Sequence, residues 1–344
     1  MPSVGVILKG IFARIFYVIH GLLCVWRLTD VNGNMYFWAV IVPVLLLPLE
    51  MVITMMVNKT KGEWKWVCPS IFLFLCCSVT SIYLMEVELM EDRIEYRDDN
   101  NLQSCDIEES DLYANQSELL DIQGVTIPIA FTSDYWVLTL EQMLLCIVII
   151  GRWFLPKGSL TREQLSSLLL TYIGIAADIL EFLLEGLKEP QVKCDRFVVY
   201  CILSLWAISM AQFAVVRTAS NTEKKGGDEK KRQCCTCCNS EVRGIMISSL
   251  MQDLPFLVMR LTLLLYYKVV NHMMVFFTCK NILMLMLQSY RFVVIIFEEQ
   301  GDPNDVVPLG KIQVDDPAKF IPEASDFKGN PGVQDTVHKN DRIP

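Results

Sequence analysis

The sequence predicts an all-α membrane protein: a polytopic bundle of about eight transmembrane helices with both termini cytoplasmic. Eight mostly apolar stretches of roughly twenty residues lie between Val4 and Phe297. Helices of that length match a hydrocarbon core of about 30 Å at about 1.5 Å rise per residue. The 344-residue chain is 53% hydrophobic and only 20% charged, with mean hydropathy +0.37. It is too apolar for an ordinary soluble domain and too interrupted by loops for one oversized core. The organisation that follows is a membrane domain, 1–297, and an acidic tail, 298–344.

The expected spans are 7–28, 35–57, 67–85, 135–155, 165–184, 197–216, 244–267 and 273–297. The first has a short uninterrupted apolar core, Ile15 to Trp26, and crosses the bilayer only if Arg14 and Arg27 reach toward opposite surfaces. Lys9 precedes it as in a leader peptide, but Arg14 and His20 interrupt the run and no small-residue cleavage site follows, so it reads as a retained span. The second span carries Pro43 and Pro48 with Glu50 toward its inner end.

The third span leads into an acidic extracellular or lumenal loop, 86–134, with fourteen Asp and Glu against Arg93 and Arg97. Within it, Asn115-Gln116-Ser117 is an N-glycosylation acceptor. Cys105 in this loop and Cys194 between spans five and six are the two cysteines in outer loops, a candidate disulfide whose geometry spacing alone does not fix.

Orientation comes from three short loops. Lys59, Lys61 and Lys65 follow span two, Arg152, Lys157 and Arg162 follow span four, and Lys224, Lys225, Lys230, Lys231 and Arg232 follow span six. All three fall on one side, which is therefore cytoplasmic. The competing acceptor Asn58-Lys59-Thr60 would then go unused. Trp26, Trp38 and Trp136 near outer ends and Trp64, Trp66 and Trp153 near inner ends form two aromatic belts, while Trp206 inside span six reads as packing.

The cytoplasmic loop 217–243 carries Cys234-Cys235-Thr236-Cys237-Cys238 beside its Lys and Arg cluster. Palmitoylation of Cys234, Cys235, Cys237 and Cys238 suits this setting, because acyl chains and attraction to anionic lipid reinforce each other. The rivals are unmodified thiols and a zinc site, which lacks separated cysteine pairs and a nearby His. From Glu298 onward, Pro303, Pro308, Pro317, Pro322 and Pro331 recur among acids and glycines, and the tail reads as disordered. No internal repeat is visible.

The chemistry-bearing residues are those inside spans, since each buried charge costs at least a few kcal/mol at the bilayer centre and normally turns toward a partner or water. Gly174, Asp178, Glu181 and Glu185 form one stripe on span five, with Ala177 beside it; the small residues are suited to close helix approach. Span seven carries Gln252, Asp253, Pro255 and Arg260, with Asp253 and Arg260 on one face and Pro255 freeing a carbonyl one turn earlier. Span eight places Lys280, Met284, Leu287 and Arg291 on one side, with Asn281 and Gln288 adjacent. The directions of the spans put Glu141, Asp178, Glu181, Arg260 and Lys280 in the outer half.

With Asp253, these residues form a candidate polar pathway for an ion, a small solute or a lipid; the rival is a structural ion-pair network that fixes helix register in a non-transporting membrane adaptor or receptor-like interaction protein. His20 and His272 read as polar contacts near membrane boundaries. No phosphate loop, metalloprotease motif or nucleophile elbow appears, so neither an enzyme nor a cofactor or metal site is expected. Basic residues flanked by spans give no case for nucleic acid. The expected partners are the bilayer, unidentified proteins and the transported species, and the expected location is the plasma membrane, with endomembranes as the alternative.

The polar helices also carry a resemblance. Gly151-Arg152-Trp153, Leu155-Pro156, Thr161-Arg162-Glu163-Gln164-Leu165-Ser166 and Gly174 followed by Ala176-Ala177-Asp178-Ile179-Leu180-Glu181-Phe182 form its strongest stretch. His20 with Val25-Trp26-Arg27, Gln252-Asp253 with Pro255-Phe256-Leu257-Val258 and Arg260-Leu261, and Lys280-Asn281 with Gln288, Tyr290 and Arg291 support it. On these motifs, which span roughly 11–297, the chain resembles the transmembrane protein 26 family. The resemblance implies a multi-pass membrane protein whose molecular activity is open. It does not extend to the acidic loop, the cysteine-rich segment or the tail.

Overall fold

The computed structural model describes residues 4–57, 67–102, 105, 121–122, 125–126, 133–155, 162–215 and 240–300. Asn115, the Cys234–Cys238 run, most of the acidic loop and the tail from 301 onward lie outside the described residues.

The helices, in chain order, are α1 (Val4–Asn32), α2 (Leu47–Val57), α3 (Pro69–Asp99), α4 (Ser133–Phe154), α5 (Arg162–Gly186), α6 (Arg196–Ala211), α7 (Ser240–Ser248), α8 (Leu254–Leu265) and α9 (His272–Gln300). Short helical turns lie at Met35–Ile41, Val42–Leu45 and Pro190–Lys193, and β1 (Asp121–Ile122) pairs antiparallel with β2 (Val125–Thr126). Among the described residues, seven segments are long and apolar enough to cross a membrane: Ile7–Asn32, Met35–Thr54, Pro69–Asp99, Asp134–Phe154, Arg162–Gly186, Gly244–Leu265 and His272–Phe297. The remaining expected span is the 16-residue α6, which runs on through a turn to Val215.

Local chemistry explains the departures from the expected spans. Pro43 and Pro48 each lack an N–H, and the second span is accordingly broken into a 3-10 segment, a single turn and α2. Helix α3 does not stop at 85 but continues to Asp99, well into the expected loop. Arg93 on this extension bonds Asp134 at the start of α4 at 2.9 Å, and Glu91 receives Arg196 from the start of α6 at 2.6 and 3.0 Å. These cross-helix bonds secure a polar extension that span length alone does not foresee. At Pro255 the chain forms a π-helical turn, Ser249–Asp253, immediately before α8, and the Leu254 N–H reaches the Ser249 carbonyl. This is the widening expected where proline removes a helical donor.

The core sits where α1 packs between α3 and α4, and where α6 packs against α3 and α5. Tyr17 stacks on Phe74 at 4.5 Å, while Trp206 and Tyr172 are fully buried. Gly151 of α4 faces Tyr17 so closely that an added Cβ would overlap its ring and hydroxyl, which makes glycine the residue that admits this helix approach. Gly174 behaves differently from its expected role: a Cβ there meets nothing within 4 Å.

Two sets of contacts define opposite ends of the bundle. At one end Val67 bridges Val215, Cys68 N–H donates to the Ala214 carbonyl at 2.8 Å, and Phe12 meets Phe154 edge-on at 5.3 Å. At the other, Trp26 meets Trp136 at 6.4 Å, Arg27 lies over Trp136, and Tyr267 donates to Asp195 at 2.8 Å. Cys105 and Cys194 are joined in a disulfide with their Cα atoms 6.2 Å apart.

Candidate functional site

Helices α5, α8 and α9 bring four of the six pathway residues together. Asp178 and Glu181 lie three apart on α5 and so share a face. Lys280 of α9 donates to Asp178, and Arg260 Nη2 of α8 donates to Glu181 Oε1 at 3.0 Å. The two cations lie over one ring: the Arg260 guanidinium carbon is 5.1 Å from the Phe277 centroid and Lys280 Nζ is 5.4 Å from it. Phe182, stacked on Phe256 at 3.8 Å, also faces Arg260, at 5.8 Å. Such ring faces stabilise a desolvated cation.

The pairs are unequally open. Arg260 is 4% exposed, whereas Glu181, Asp178 and Lys280 are 23%, 27% and 32% exposed. Arg260 Nε and Nη1 and Asn281 Nδ2 are buried with no hydrogen-bond partner among the described residues.

Asp253 stands apart from Arg260 despite their shared-face spacing, because the π-helical turn ends at Asp253. Its Oδ2 accepts from Gln288 Nε2 at 2.7 Å and from Ser248 Oγ at 3.5 Å, while Ser249 donates to Gln288 Oε1. Gln212 reaches across from the end of α6 to Gln252 at 2.7 Å. This is a second polar layer, built mainly from amides and hydroxyls.

Glu141 does not join the α5–α8–α9 group. It is 3% exposed on α4, its Oε1 has no hydrogen-bond partner among the described residues, and its charged neighbour is Glu86 of α3. The expectation that one outer-half cavity gathers all the charges therefore fails for Glu141, because helix direction gives depth but no azimuth around the bundle.

The inward face of α9 also differs from the expected stripe. Met274, Thr278 and Asn281 are buried, whereas Met284, Leu287 and Arg291 are exposed. Span-eight residues separated by three or four can lie on either of two neighbouring faces, and the choice depends on α5 and α8. Glu185 lies toward the end of α5, 3.7 Å from Lys188.

Several polar contacts escaped the sequence reading. Arg14 does not reach for a surface: Nε and Nη2 bond Glu50 Oε2 at 3.2 and 2.8 Å, Nη2 also bonds Ser70 at 2.9 Å, and Thr54 donates to the other Glu50 oxygen at 2.7 Å. Both Arg14 and Glu50 are nearly sealed from outside. Arg27 pairs with Asp30 at 2.6 Å. His20 is buried in the core rather than placed at a boundary, with Nε2 donating to the Leu140 carbonyl at 3.1 Å and Nδ1 left to accept from Ser78 at 3.3 Å. The signal available for Arg14 was its place one residue before a short apolar core, with Glu50 as the acid of the adjoining span. Among the described residues no group of three His, Cys, Asp or Glu side chains could hold a metal ion.

No solved structure matches this chain. A family model described as transmembrane protein 26 matches residues 4–291, which include α1 through most of α9 and every residue of the α5–α8–α9 site. With that span matched, and with helices of membrane-crossing length throughout it, the chain is a multi-pass membrane protein that belongs to the transmembrane protein 26 family.

Proposed function

We propose that this protein has a transport-type function, moving an ion, a small solute or a lipid through the polar crevice between α5, α8 and α9. The observation that carries the reading is the partial exposure of Asp178, Glu181 and Lys280, with the two acids roughly one to two turns inside the Gly186 end of α5. Charges at that depth are costly against hydrocarbon and call for water or a polar ligand beside them. The Arg14–Glu50 pair, by contrast, is closed around its own hydrogen bonds and offers no such opening.

Helix α9 suits the role of a movable wall. In its most apolar 18-residue stretch only 6% of the residues are buried, against 22–50% in the corresponding stretches of the other membrane-length segments. Its described polar links to the bundle include Lys280–Asp178, Gln288–Asp253 and Ser249–Gln288. A helix held by exchangeable polar links requires less disruption to shift than one locked by interdigitated apolar side chains.

In this reading α6 is the eighth crossing, both termini are cytoplasmic, and the Cys105–Cys194 end faces the exterior or lumen, where a disulfide persists. Glycosylation at Asn115 and acylation at Cys234, Cys235, Cys237 and Cys238 complete the proposed topology, with the plasma membrane as its location. A second reading, a non-transporting adaptor, is favoured by the cross-helix pairing of all four charges, which an internal staple would also require.

Substituted-cysteine labelling separates the two. Cysteines placed singly at Asp178 and Lys280, in a chain depleted of other cysteines except Cys105 and Cys194, are expected to react with membrane-impermeant thiol reagents from at least one side. Silence at both positions from both sides, in folded protein, would remove the basis for a pathway.

A further inference from the structure

We propose that Arg260 and Asn281 form a binding site for a phosphate-type oxyanion, reached between α8 and α9, with Lys280 at its rim. This deepens the transport-type reading by naming the substrate chemistry and rests on that reading for its transport aspect. The binding itself is independent of flux.

The site is defined by donors without acceptors. Arg260 is nine-tenths or more buried, and only its Nη2 is engaged, by Glu181. Nε and Nη1 remain buried with no partner among the described residues. One turn beyond Phe277 on α9, Asn281 is 6% exposed, with Nδ2 also unpartnered among them. Leaving one such group unsatisfied in an apolar interior is strongly unfavourable, and more so when it is charged. Orphaned donors on both α8 and α9 call for an acceptor that the described residues do not supply.

The ligand class follows from the donor set. A guanidinium, an ammonium and a carboxamide all present N–H groups to oxygen acceptors. Guanidinium donors match the spread oxygens of a phosphate group, and the ammonium adds a point charge. Phe182 and Phe277 hold the guanidinium by their faces and leave its N–H edges for a ligand. Lys280, at 32% exposure, is the more open cation and stands on the outer helix. The acidic partners Asp178 and Glu181 neutralise the two cations, so an arriving anion would exchange with them for the cations. Such an exchange would loosen the links that hold α9.

A phosphate-type group can come from a phospholipid headgroup or from free phosphate, and two arms of one experiment distinguish them. Purified full-length protein would be reconstituted in nanodiscs of phosphatidylcholine with a minor fraction of phosphatidylglycerol, and retained lipid measured by native mass spectrometry. A parallel titration would use inorganic phosphate in pure phosphatidylcholine, read by spectral shift of a label at Cys279. Asn281→Asp keeps side-chain size while turning a donor into an anion, and Arg260→Gln with Glu181→Gln removes the cation without stranding its partner.

The expected result is preferential phosphatidylglycerol retention, or a saturable phosphate response, weakened about tenfold or more in both variants, as expected for losing charge-assisted hydrogen bonds worth at least about 1.4 kcal/mol. Preferential phosphatidylglycerol retention without a saturable phosphate response identifies the headgroup as the source, and a phosphate response without lipid preference identifies the free ion. Equal retention and equal response in wild type and Asn281→Asp would overturn the site, and that comparison decides the matter if the double variant does not fold. Binding without flux would leave the oxyanion site standing and remove the transport reading.

Discussion

Arg260 Nη2 lies 3.0 Å from Glu181 Oε1, and this bond joins α8 to the same face of α5 from which Asp178 meets Lys280 of α9. The three helices thus meet through charge pairs as well as through the buried Phe182–Phe256 stack between α5 and α8. That arrangement makes the energetic coupling of the charges measurable.

Arg260→Gln is expected to destabilise the protein more than Arg260→Gln combined with Glu181→Gln. The single change leaves a carboxylate without its guanidinium, whereas the double change leaves two neutral amides. A double-mutant cycle on thermal unfolding in detergent should show a coupling of about 1–2 kcal/mol. Additive effects would mean that the contact has no stabilising coupling.

Gly151→Ala and Gly174→Ala should separate cleanly although both glycines lie within the strongest family-like stretch. The first places a Cβ into Tyr17 and should cost about 1–3 kcal/mol, typical of overpacking. The second enters open space and should be neutral or slightly stabilising, because alanine favours helix by up to about 1 kcal/mol. Thermal shift in detergent compares them, and a larger loss for Gly174→Ala would contradict the packing described for α4 and α5.

Reduction should lower thermal stability through the Cys105–Cys194 bond, which spans 89 residues. A disulfide stabilises by about 2–4 kcal/mol in typical cases, and more for longer loops. Peptide mapping without reductant should recover the two cysteines linked, and Cys194→Ser should remove most of the response to reductant. Detection of both as free thiols in freshly purified protein would exclude the bond.

Asp195→Ala should fray the start of α6 and release α8. Asp195 Oδ1 accepts from the Phe197 and Val198 N–H groups while Oδ2 accepts from Tyr267. Loss of a helix cap costs about 1 kcal/mol, with a further contribution from the Tyr267 bond. Amide exchange across 196–200 should accelerate in Asp195→Ala but not in Tyr267→Phe.

Hydropathy made most of the helices legible, because runs such as Leu168-Leu169-Leu170 with Ile173 and Ile175 in α5, or Ile282 to Leu287 in α9, are too apolar and too long for loops in water. Position along each helix was legible too, since helical rise converts residue number into distance. Azimuth was not. Glu141 of α4 neighbours Glu86 of α3 whereas Glu181 of α5 meets Arg260 of α8, and nothing in the local spacing of Glu141 encodes that. The same limit hid the partner of Arg14, which lies 36 positions away at Glu50. For Asp253, proline chemistry announced an irregularity but not that a π-helical turn would hand its carboxylate to Gln288.

The most direct test of the proposed α5–α8–α9 pathway is flux in proteoliposomes containing the purified full-length protein, read with ion-sensitive dyes and with a fluorescent-lipid scrambling assay. Wild type is expected to show flux that falls at least about tenfold in Asp178→Asn and Arg260→Gln while both variants remain folded, a loss of about 1.4 kcal/mol or more in the rate-limiting step. Flux that persists unchanged in both variants, or its absence for every ion and lipid assayed, would contradict it.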